Sequence, residues 1–110
     1  MTLENIQNIC GKFGHVTEDS KLEDHLCFNV KRKMFLITSP DLSPVTASFK
    51  TSEEKFNELS ERDAFKPAPY LAKHKWIHVD NINRVNNREW KELLEISYNL
   101  IKEKLPKKKK

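Results

Sequence analysis

Residues 25–50, HLCFNVKRKMFLITSPDLSPVTASFK, carry three apolar segments joined by two short polar links. In HLCFNV, Leu26, Phe28 and Val30 fall on one face of an extended chain and His25, Cys27 and Asn29 on the other. KMFLIT is apolar on both faces, as a central strand is, and PVTASFK alternates again with Val45, Ala47 and Phe49 opposite Thr46, Ser48 and Lys50. Links as short as KRK and SPDLSP leave no room for a crossover, so the segments are expected to pair as an antiparallel meander. Pro40 and Pro44 bound the second link, because proline has no N–H for a central ladder. The period-two pattern extends back to about residue 17, giving three or four strands.

Helical spacing surrounds this meander. Leu3, Ile6, Ile9, Cys10 and Phe13 predict an amphipathic helix over 3–13, capped by Thr2 and frayed at Gly11 and Gly14. Thr51 followed by Glu54 reads as a capping box opening a helix over 52–62, with Phe56 and Leu59 inward and Phe65 near its close. Pro67 and Pro69 then impose an extended loop. KWIHVD returns to strand spacing, Ile77 and Val79 opposite Trp76 and His78. Residues 86–105 predict a long helix whose stripe holds Trp90, Leu93, Leu94, Ser97, Ile101 and Leu105, ended by Pro106. The order α-β-β-β-α-β-α, with a possible fourth strand in the meander, implies an α+β fold: one antiparallel sheet with helices packed on one face. A single domain over 1–106 with a disordered Lys-rich tail at 107–110 is the expected organisation.

Charge bears on partners. The chain has 20 Lys and Arg against 16 Asp and Glu, but four of those bases are the terminal KKKK. Residues 1–106 are therefore balanced, and the local surplus lies at 29–50 and 66–88. A neutral domain is not built for tight nucleic-acid binding, which draws its affinity from neutralising phosphates. The apolar runs are too short for a bilayer and the N-terminus lacks a secretory pattern, so the expected location is cytoplasmic, without membrane contact.

Chemistry-bearing motifs are sparse. The two glycines exclude a Gly-rich phosphate loop, and there is no G-x-S-x-G elbow. Cys10 and Cys27 form no ligand spacing and read as small buried hydrophobes. His74 and His78 have the spacing of a helical zinc pair, yet His78 lies in a strand, where four residues span about 13 Å. His15 and His25 are isolated. The acids Glu18, Asp19, Glu23 and Asp24, and Glu53, Glu54, Glu58, Glu61 and Asp63, read as solvated surface. The expectation is a non-enzymatic, monomeric binding module with no cofactor and no metal.

Several stretches in order resemble one family. IQNICGKFGHVTED looks like its opening helix and turn, and FNVKRKMFLIT like its hairpin ending in a Lys-x-Phe strand, here Lys33 and Phe35. SFK before an acidic helix, PAPYLAKHKWIHV with its proline–tyrosine loop and Trp strand, and the Ser97–Tyr98 pair in ISYNLI complete the pattern. The chain resembles the MmcQ/YjbR family of small bacterial proteins. That resemblance implies a frataxin-like (CyaY-like) fold and DNA binding through a winged arrangement of strands. Frataxins offer an acidic first helix to iron, but this first helix has one acid, Glu4, so the iron role does not carry over. Family members usually carry Gly before the hairpin lysine. Lys31 and Arg32 stand there instead, which does not point to a tight primed turn.

The nucleic-acid-binding candidates are Lys31, Arg32 and Lys33 at the hairpin, Lys50 at a strand end, and Lys73 and Lys75 beside Trp76 and His78. A face carrying Asn29, Thr46, Ser48, Lys50, Trp76 and His78 would track phosphates and stack a base, giving weak, salt-sensitive DNA binding. In the alternative, Trp76 and Tyr70 are anchors, or the Trp76 face receives a protein or small ligand.

Overall fold

A computed structural model describes residues 2–21, 25–68 and 71–103. The elements run α1 (Leu3–Gly11), β1 (Val16–Lys21), β2 (His25–Val30), β3 (Lys33–Ser39), β4 (Thr46–Lys50), α2 (Glu53–Ser60), β5 (Phe65–Pro67), β6 (Trp76–Val79) and α3 (Asn87–Glu103). The six strands form one antiparallel sheet in the order β1-β2-β3-β4-β6-β5. The expected meander is present and is extended at both edges, by β1 and by the three-residue β5. Pro67, expected in a loop, closes β5 opposite Ile77. Pro69, Tyr70, the end of the last helix beyond 103 and the terminal lysines lie outside the described residues.

Strand alternation produces the two faces. Phe28, Leu36, Phe49 and Ile77 stand in successive registers and are fully buried, as are Ala47 and Val79 one step along. Against them pack Ile6, Ile9 and Cys10 of α1, Leu59 of α2 and Trp90, Leu93, Leu94 and Tyr98 of α3. Each fully buried large apolar side chain contributes about 1.5–3 kcal/mol relative to exposure, so this layer supplies most of the stability. Trp76, Cys27 and Ala68 are also buried but belong to no part of that core.

Local signals set the helix ends. Thr2 caps α1 in a capping box with Asn5, as its position predicts. In α2 the cap is one residue later than expected: Ser52 Oγ accepts the Lys55 N–H at 3.1 Å, and the helix ends at Ser60 rather than 62. The helix starts one residue later, and Thr51 still belongs to the sheet side, its N–H donating to the Lys75 carbonyl at 2.8 Å. Its hydroxyl is buried without a partner.

A bulge lies between β2 and β3. Phe28 opposes Leu36, but Asn29 opposes Met34, so Phe35 is the extra residue. The bulge turns both Phe35 and Leu36 into the core, which accounts for a strand apolar at consecutive positions. Phe35 meets Tyr98 edge-on at 5.6 Å.

Candidate functional site

The register brings most of the predicted basic residues to one end of the sheet. Val30 of β2 pairs Lys33 of β3, Lys50 of β4 pairs Trp76 of β6, and Val16 of β1 pairs Val30. The β2–β3 turn, the end of β4 and the loop entering β6 therefore share that end. Tyr98 fastens the α1 exit to it, its hydroxyl lying 2.9 Å from the Phe13 carbonyl and 2.8 Å from that of Gly14. Lys102 stands over the Tyr98 ring at 5.5 Å. Lys12 and Lys102 thus join Lys31, Arg32, Lys33 and Lys73 there. Neither was singled out from sequence, since only the tertiary contact of Tyr98 with the α1 exit places them. Glu53, Glu54 and Glu103 lie toward the same end and offset part of the charge. Arg62, Arg84 and Arg88 lie toward the opposite end, beside Asp63 and the start of α3.

Lys31 and Arg32 form a two-residue turn with φ values of 49° and 76°. Two left-handed residues in succession are the signature of a type I′ turn, whose twist matches that of the flanking strands. The tight primed turn is present without its glycine. Each side chain in that region costs about 1 kcal/mol relative to glycine, so the turn holds two exposed cations at the expense of stability.

Lys50 and Trp76 are placed differently. Both point to the sheet face away from the helices, but Trp76 is 6% exposed and Lys50 8%. The chain between β5 and β6 folds back on itself: Ala68 N–H donates to the Trp76 carbonyl at 3.0 Å, and Trp76 N–H to that of Leu71 at 3.3 Å. The Lys50 ammonium donates to the His74 carbonyl at 2.6 Å. Lys50 therefore braces this loop from beneath, and the Trp76 ring presents no open platform for stacking a base. Lys50 was expected at an open surface and burial removes it from there, while for Trp76, read from sequence as either a stacking surface or an anchor, burial favours the anchor. Lys73 is exposed on the loop's short 3-10 turn, Ala72–His74. Lys75, at φ 65°, turns toward α2 and lies 5.2 Å from the Phe56 ring centre.

Away from that end, the outer face carries a row in register: Asp19, Cys27, Ile37, Ser48, His78 and Lys66. Ser48 Oγ lies 2.8 Å from His78 Nδ1, and His78 Nε2 lies 3.3 Å from Asp80 Oδ1, which also receives Lys66 at 3.3 Å. Burial pushes the His78 pKa down, against the pull of Asp80. A neutral ring donating from Nε2 to Asp80 and accepting the Ser48 hydroxyl at Nδ1 satisfies all three groups. His78 is thereby a link between β4, β6 and the β6 exit, and half-buried. Cys10 is buried in the core with its thiol pKa pushed up to about 12, too high to supply a thiolate at neutral pH.

His74 and His78 sit in different elements, the 3-10 turn and β6. Among the described residues no three His, Cys, Asp or Glu side chains group as a metal site, and no helix is long and apolar enough to cross a membrane.

The fold has solved counterparts. The crystal structure of Deinococcus radiodurans protein DR2400, of the domain class DUF419, aligns with a TM-score of 0.85 at 26% identity, over 94% of this chain and 80% of that one. A protein from Pseudomonas syringae aligns with a TM-score of 0.76 at 20% identity, over 92% and 99%. The comparison with curated proteins returned no match. A family model described as YjbR matches residues 12–100, from the α1 exit to the last turns of α3, and the chain belongs to that family.

Proposed function

We propose that this domain is a non-enzymatic nucleic-acid-binding module that grips phosphates at the basic end of its sheet. The observation that carries the reading is the Lys31–Arg32 turn, which holds two exposed cations in strained backbone beside Lys33, with Lys73 and Lys12 on either side. A turn selected for stability alone would carry Asn-Gly. Stability given up at a surface position is a mark of function. With Trp76 and Lys50 covered, contact is to the phosphate backbone and not to stacked bases, so binding is weak and indifferent to most of the sequence.

The test is fluorescence anisotropy with duplex and single-stranded DNA at two salt concentrations. It uses the full chain and a version ending at Pro106, which removes the terminal lysines. The truncated chain is expected to bind duplex at low salt with a log–log salt slope of about 3, for three to four phosphate contacts. Lys31→Ala/Arg32→Ala/Lys33→Ala abolishes that binding. Failure of the truncated chain to bind at low salt ends the proposal for the folded domain.

A further inference from the structure

The basic end is not a uniform field of lysines, and the difference has a consequence. Arg32 is its one arginine among the described residues. Arg62 is tied to Glu89 in a two-pronged ion pair, and Arg84 to the Asp63 carbonyl. Arg32 is exposed, and no described residue offers its guanidinium a hydrogen bond or an ion pair. It sits in a turn only two residues wide between Val30 and Lys33. In the order β1-β2-β3-β4-β6-β5 that turn lies one strand in from the β1 edge. The α1 exit with Lys12 and His15 flanks it through β1, and Lys73 flanks it beyond β4 and β6.

A guanidinium with ammonium groups on both sides matches one feature of a duplex. The minor groove is bounded by two phosphate backbones, and where A·T runs narrow it the negative potential on its floor deepens. Guanidinium sheds water more readily than ammonium and so enters such a groove at lower cost, while lysines stay with the phosphates. The left-handed backbone at residue 32 also fits, because a two-residue turn is the slimmest support a strand pair can give to a single side chain.

Resting on the nucleic-acid reading above, we infer that Arg32 is a minor-groove probe, and that the preferred ligand is duplex DNA with a narrow, A·T-rich minor groove. The flanking lysines supply affinity, and Arg32 supplies the preference. No base-specific hydrogen bond is needed, since groove width is what the guanidinium senses.

Two duplexes of equal length, one with a central AATT run and one with GCGC, separate this inference from the simpler one. Anisotropy on the chain ending at Pro106 is expected to show about tenfold tighter binding to the AATT duplex, the scale of one well-placed groove contact. Netropsin, which fills A·T minor grooves, removes the advantage. Arg32→Lys keeps the charge and the fold, and it is expected to bind both duplexes equally at the affinity the wild type shows for GCGC. Equal binding of both duplexes by the wild type, or a preference that survives Arg32→Lys, overturns the inference and leaves the phosphate reading standing. Binding to neither duplex at low salt ends both, as does binding confined to anionic lipid vesicles.

Discussion

The Ser97 hydroxyl donates to the Phe35 carbonyl at 2.6 Å and accepts the Lys50 N–H at 3.1 Å. A side chain of α3 is thereby spliced between the backbones of β3 and β4, just past the Leu36–Phe49 pair where their ladder ends. All three groups are buried, so each needs its partner. Ser97→Ala strands one donor and one acceptor and is expected to cost about 2 kcal/mol. Urea unfolding checks this: the midpoint falls with little change in slope, since the same surface is exposed.

The Lys31–Arg32 turn gives a prediction in which stability and binding move in opposite directions. Lys31→Asn with Arg32→Gly supplies residues that tolerate positive φ, and the fold gains about 1 kcal/mol. The same change removes two cations, and duplex affinity at low salt falls by about tenfold or more. Thermal unfolding and anisotropy on one preparation read both effects. A variant that is more stable and binds as before places the contact elsewhere.

The start of α2 separates two hydroxyls that look equivalent in the sequence TSEE. Ser52→Ala removes the cap on Lys55 N–H and is expected to cost about 1 kcal/mol. Thr51→Val removes a buried hydroxyl that bonds to nothing, so it is neutral or stabilising. Urea midpoints in that order, Thr51→Val at or above wild type and Ser52→Ala below, confirm the reassigned cap.

The same pair shows why some features are legible in a sequence and others are not. The alternation of Leu26, Phe28 and Val30, and of Ala47 and Phe49, announced the strands, because facing is fixed by a period of two. The cap did not announce itself. Thr51 and Ser52 are both competent, and where the helix starts is set by tertiary pairing: the Thr51 N–H stays with the carbonyl of Lys75, far along the chain. The bulge at Phe35 was hidden for a related reason: KMFLIT looks the same whether a strand is buried on both faces or bulged toward one. At the candidate site, the hairpin cations were visible as a charge run, KRK. The burial of Lys50 was not, and Trp76 could be read as an anchor or as a stacking surface, because period two gives a side chain's face but not whether a loop folds over it. Lys12 and Lys102 required knowing that Tyr98 meets the α1 exit.

His78 supplies a prediction in pH. Burial holds its pKa below the ordinary histidine range, Lys66 adds to the lowering, and Asp80 opposes it. The folded protein therefore binds the His78 proton less readily than the unfolded chain does. As the pH falls from above the ordinary histidine value toward the folded one, the unfolded state takes up more protons and stability declines. The contribution is complete at about pH 8 and is being lost by about pH 5.5. Asp80→Asn removes the charge that raises the His78 pKa, so the value drops further and the loss of stability on acidification deepens. Titration of the His78 ring by NMR, with urea midpoints at the two pH values, checks both statements. A His78 pKa that rises in Asp80→Asn would show that the ring is not held between Ser48 and Asp80 as the geometry places it.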